Sequence, residues 1–200
     1  MKKIIFISFL ISTILAENLP LSKKNILSDR DDHFNRGSYL IVLSNPNLNN
    51  TILSYFIDLK KTQGFDVEVV SFREGDGQIH GIEGQTNDDL KNYLIDYYSE
   101  NSMLEYVLLI GDVNQNNDDY NIPTYEIPSY SFVENDQTDY PYTFFDIGDG
   151  ENILEPHFFI GRWSIGSSTD LANIINRNIH YAQLNETYIP DPTYLNNALV

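Results

Sequence analysis

Apolar residues along this chain gather in short dense runs, separated by stretches in which they recur every third or fourth position. Residues 39–43, Tyr-Leu-Ile-Val-Leu, form one such run, with Gly37 before it and Asn45-Pro46 after it. That is the pattern of a strand buried on both faces. Ile52, Leu53, Phe56, Ile57 and Leu59 follow at helical spacing, with Lys60 and Lys61 in the last turn and Gly64 just beyond as a stop. Val67, Val69, Val70 and Phe72 make a second strand, and Gly75, Gly77, Gly81 and Gly84 break the chain into a loop. Thr86 with Asp89 is a near capping box, opening a helix whose apolar face is Leu90, Tyr93, Leu94 and Tyr97. Tyr106 to Ile110 is a third buried strand, ending at Gly111-Asp112. Parallel neighbours need long crossovers and lose water on both faces, so this alternation predicts an α/β three-layer sandwich with a mainly parallel sheet. Ligands of such sheets sit beyond the carboxyl ends of the strands, where Asp112 stands.

From Val113 to Tyr142 the text turns to Asn, Asp, Pro and Tyr, which predicts a long ordered loop with short strands near Pro123 to Ile127. Phe158 to Arg162 returns to strand character. Ser168-Thr169-Asp170 is a helix start signal for a run with Leu171, Ile174, Ile175 and Ile179 on one face. Pro190 and Pro192 end that segment, and Leu195 to Val200 reads as a new strand, so the chain is expected to be truncated. Residues 1–16 carry Lys2 and Lys3, an apolar run from Ile4 to Leu15, and Ala16, which is the pattern of a signal peptide. Bulky Ile14 two residues before Ala16 leaves an uncleaved anchor as the alternative. Residues 17–37 are polar and aperiodic, a linker or propeptide remnant, and residues 38–200 form the folded unit.

Composition narrows the function. Twelve Lys and Arg against 29 Asp and Glu give a formal charge of −17. Such a polyanion repels phosphate backbones, which argues against nucleic acid and against an anionic membrane surface once a signal is removed. With no cysteine, the chain holds no disulfide, thiolate metal site or cysteine nucleophile. Export without cysteine fits a bacterial protein that is secreted or held at the cell surface.

Side-chain chemistry is sparse. No two of His33, His80, His157 and His180 share a zinc-binding spacing, and His157 reads as a general base or as strand-edge packing. A serine elbow fails at Ser164, where Arg162 stands in place of the first glycine. The glycine-aspartate-glycine strings at 75–77 and 148–150 lack the context of a phosphate loop. The better signal is an oxygen cluster, Asp139, Asp146, Asp149, Glu151 and Glu155, with Asp112 able to approach it. All-oxygen donors suit calcium before magnesium. A solvated acidic loop without an ion is the other reading.

Several strings in this order resemble the gingipain-like cysteine peptidases, from about Ser38 to Val200. They are Tyr39-Leu40-Ile41-Val42, then Tyr106 through Gly111-Asp112, then Thr138-Asp139-Tyr140-Pro141-Tyr142, then Phe159-Ile160-Gly161-Arg162-Trp163-Ser164, and Ile179-His180-Tyr181 in the closing helix. The resemblance implies the first of two subdomains of a caspase-like catalytic domain. In that family the catalytic cysteine, histidine and supporting acid belong to the second subdomain, so this chain is expected to be inactive alone. Peptide or protein substrate would be met through that missing part. Acyl transfer through a thioester is the implied chemistry of the complete protein. The resemblance also implies calcium, with Asp112 and Asp149 on ligand positions and Asp146 where a backbone carbonyl is used. His157 stands where the family has an acid, so Glu151 or Glu155 would supply the missing carboxylate. The rival from another class is a secreted, acidic, calcium-stapled binding module that docks a partner through the Tyr-rich stretch 120–142.

Overall fold

The computed structural model describes residues 36–113, 118–129, 135–145 and 156–183, all within one compact unit of the chain. The expected signal peptide, nearly all of the expected linker, the acidic stretch 146–155 and the expected strand at 195–200 lie outside the described residues.

Strand β1 (Gly37–Leu43) is followed by helix α1 (Thr51–Thr62) and strand β2 (Phe65–Ser71). The Asn50 side chain caps α1, accepting from the Ile52 and Leu53 N–H groups. The helix stops where Gly64 turns to φ +92°, a conformation open to glycine at little cost. A two-residue strand β3 (His80–Gly81) and helix α2 (Asn87–Glu100) come next. Thr86 and Asp89 form the expected capping box. Strand β4 (Leu104–Ile110) leads into the long connection, which holds a hairpin of β5 (Tyr125–Pro128) and β6 (Asn135–Thr138). Strand β7 (Phe159–Trp163) and helix α3 (Ser168–Gln183) complete the order. The cap of α3 is one residue earlier than its start signal suggested, because the Ser167 hydroxyl accepts from the Asp170 N–H and donates to the Asp170 carboxylate.

The main sheet has five strands in the order β3-β2-β1-β4-β7, and every pairing is parallel. Side chains alternate across it into two cores. Leu40, Val42, Val107 and Leu109 pack with Leu90, Leu94 and Tyr97 of α2. Tyr39, Ile41, Leu43, Leu108 and Ile110 pack on the opposite face with Leu53 and Phe56 of α1 and Leu171 and Ile175 of α3. This is the predicted three-layer α/β sandwich. The strands differ from the expectation in one respect: β2 carries exposed Asp66 and Glu68, since β3 covers only Val70 and Ser71 of its outer side. Among the described residues no helix is long and apolar enough to cross a membrane.

Candidate functional site at the carboxyl edge of the sheet

The central pair β1 and β4 defines the place where a ligand crevice is expected. The chain leaves β1 for α1 on one face and reaches β4 from α2 on the other, so the two carboxyl ends diverge there. In this protein the crevice is filled by the chain itself. The Asp119 carbonyl accepts from the Ser44 hydroxyl at 2.9 Å and also from the Asn45 amide. The Asp112 N–H donates to the Tyr120 carbonyl at 2.7 Å, and the Ile122 N–H donates to the Asp112 carbonyl at 2.8 Å. Ile122 is fully buried beneath this turn. Gly111 permits the close approach: a Cβ there would lie 2.7 Å from the Tyr120 carbonyl oxygen and 2.9 Å from Ser44 Cβ.

Arg162 holds the plug in place. It projects from β7, and its side chain is only 10% exposed. Its Nε and Nη2 donate to Asp139 Oδ2 and Oδ1 at 2.8 and 2.7 Å. Nη1 donates to the carbonyls of Ile122 at 2.9 Å and Gly111 at 3.3 Å, and Nη2 to that of Pro123 at 3.2 Å. All five guanidinium N–H groups therefore have acceptors, as a buried cation requires. The Thr124 hydroxyl lies 2.9 Å from Asp139 Oδ1 and 2.8 Å from the Thr138 carbonyl, sharing one proton between them. The Tyr142 hydroxyl donates to the Pro123 carbonyl at 2.7 Å, and burial pushes its pKa well above that of a free phenol. Three residues singled out in two separate strings, Asp139 and Tyr142 in one and Arg162 in the other, thus meet around one stretch of backbone.

The predicted cation site fares differently. Asp112 is half-buried and its Oδ1 accepts from the Val113 N–H at 2.9 Å. Asp146, Asp149, Glu151 and Glu155 lie outside the described residues. Asp139 has both oxygens engaged by Arg162 and Thr124, which removes it from the pool of open ligands. Among the described residues no three histidine or carboxylate side chains gather to hold a metal, so they do not by themselves compose a calcium site.

His157 is packed rather than poised. Its backbone N–H donates to the Thr143 carbonyl at 3.0 Å, and its Nδ1 lies 3.3 Å from the same oxygen. The ring stacks on Phe145 at 4.6 Å and meets Tyr98 edge-on at 5.2 Å. Residues 143–145 and 157–158, which flank the acidic stretch, are clasped together by these contacts. A cleft of about 460 Å³ lies between the amino ends of α1 and α3, lined by Asn50, Thr51, Ile52, Ser168, Thr169 and Ala172. The first free N–H groups of α1 are already taken by Asn50.

The plug and the role of Arg162 were not anticipated from the sequence. A cation inside the apolar string Phe-Ile-Gly-Arg-Trp was the available signal, because a charge on a half-buried strand must find a partner.

A parallel five-strand sheet covered by helices on both sides defines a caspase-like α/β sandwich. The model of peptidase family C25 matches residues 32–200, and the chain belongs to that family, the gingipain family of cysteine peptidases. Neither the curated proteins nor the solved structures contain a match to this chain.

Proposed function

We propose that these residues are the non-catalytic first subdomain of a secreted, gingipain-type cysteine endopeptidase. The observation that carries this reading is a match to a cysteine peptidase family over residues 32–200 in a chain that contains no cysteine. A thiolate cannot arise from these residues, so on this reading other sequence supplies the nucleophile, and the catalytic histidine and oxyanion donors are assigned to it as well. The plugged crevice supports a scaffolding role, since among the described residues the central strand ends are bonded to the chain's own Asp119 and Tyr120 carbonyls. The decisive assay is peptide cleavage by the purified 200-residue chain and by the intact protein of which it is part. No turnover from the chain, with thiol-sensitive turnover from the intact protein, is the expected result. Intrinsic cleavage by the cysteine-free chain, or an intact protein whose activity ignores thiol reagents, overturns the proposal.

Calcium belongs to the same reading, with Asp112, Asp146, Asp149 and Glu151 as ligands. Support comes from the all-oxygen donor set and from the clasp at Thr143 and His157 that closes the acidic stretch at its base. Titration calorimetry with calcium alone tests it: binding that Asp149→Asn weakens at least tenfold is expected, and no heat of binding refutes it. Export rests on residues 1–16, and amino-terminal sequencing of the protein recovered outside the cell should begin at Glu17.

A further inference from the structure

The two edges of the main sheet are built differently. Where β2 runs beyond the short β3, its exposed side chains are Asp66 and Glu68, and charges on an edge discourage a further strand. On β7 the one charged side chain, Arg162, is turned inward to Asp139. The Trp163 carbonyl accepts from the Gly111 N–H of the β4 side, so by strand alternation the N–H and C=O of Ile160 and Arg162 point away from β4. No described strand pairs with them. Beside these open groups, Phe159 is 63% exposed, and a Cβ placed on Gly161 would meet nothing within 4 Å. Phe159 also ends an aromatic row that crosses four strands. Phe65 meets Tyr39 at 5.5 Å, Tyr39 stacks on Tyr106 at 5.7 Å, and Tyr106 stacks on Phe159 at 5.4 Å.

Chain handedness limits what can cover this edge. The crossover from β1 through α1 steps to β2, and α3 packs on the same face as α1. Crossovers between parallel strands are right-handed in roughly 98% of cases, so one through α3 steps from β7 back toward β4, away from the open edge. A second copy brings another −17 of formal charge and is repelled. An occupant compatible with both limits is the separate unit to which the proposed function assigns the cysteine.

We infer that the β7 edge is where the cysteine-bearing catalytic unit joins, adding a strand beside Ile160 and Arg162 and covering Phe159 with an apolar side chain. This rests on the reading that the nucleophile lies outside these residues. Hydrogen exchange of the Ile160 and Arg162 amides in the intact, thiol-dependent peptidase is the test. Both should exchange at least about 100-fold more slowly than open amides. Phe159→Lys should abolish that protection and lower activity about tenfold, while Tyr55→Lys, the same change at an exposed site on α1, alters neither. Fast exchange of both amides in an active enzyme overturns the docking edge alone. Protection that appears only as protein concentration rises assigns the edge to a second copy and also overturns it. If the intact protein has no thiol-dependent activity, the functional reading falls and the docking inference falls with it.

Discussion

Arg162 and Asp139 stand 23 positions apart in the chain and meet in a two-pronged ion pair, with N···O distances of 2.7 and 2.8 Å. The pair joins β7 to the end of the β5-β6 hairpin, and through three carbonyls it fixes the turn that fills the carboxyl edge. A two-stranded hairpin is marginal in water, so its order depends on such an anchor.

Removing either partner leaves the other charge nearly buried and unmatched. Arg162→Met and Asp139→Asn are each expected to destabilise the chain by about 3–5 kcal/mol, read from urea denaturation. A double-mutant cycle should show strong coupling, because the second change adds little once the first is made. Additive effects would mean that the pair does not act as a unit.

Gly111→Ala places a methyl group 2.7 Å from the Tyr120 carbonyl oxygen. Backbone must move, which should cost about 1–3 kcal/mol and displace the turn. Limited proteolysis should then cut near Asp119 and Tyr120 faster than in the parent, with β1 and β4 left intact.

Acid should weaken α2 at its start. Hydrogen bonds from the Gln85 N–H, and then from the Thr86 N–H and hydroxyl, hold the Asp89 carboxyl below the usual aspartate range. Its folded pKa is depressed, so its contribution is present above the unfolded value near 3.9 and is lost as pH falls through the folded value. Asp89→Asn should flatten the acid limb of a stability profile measured by circular dichroism. An unchanged acid limb in that variant would show that the capping box does not couple to protonation.

Alkali should act at the opposite end of the scale. Burial, then a hydrogen bond to Glu68, raises the Tyr97 hydroxyl above a free phenol, and burial pushes Tyr93 up to about 12. For raised groups the contribution is complete below the unfolded value of about 10 and disappears as pH climbs through the folded one. Spectrophotometric titration of tyrosinate should therefore show late-ionising residues, one of which is lost in Tyr97→Phe.

Local signals determined much of this protein. Periodicity found all but the smallest elements of the main sheet and its helices, because a strand buried on both faces and a helix with one apolar stripe each leave a distinct spacing. Gly64 and the Thr86–Asp89 box marked helix boundaries through backbone chemistry that acts over a few residues. The strings around Asp112, Asp139 and Arg162 placed the chain in its family. Strand β6, with the sequence Asn-Asp-Gln-Thr, left no trace, since its pairing with β5 is backbone hydrogen bonding on two solvated faces. Tertiary structure alone decided that Asp139 answers Arg162 instead of a metal ion, that His157 lies stacked on Phe145, and that the chain's own carbonyls bond the central strand ends. Each of these depends on which distant residues share a neighbourhood, and burial makes a charge choose its partner by proximity in space, which spacing along the chain does not encode.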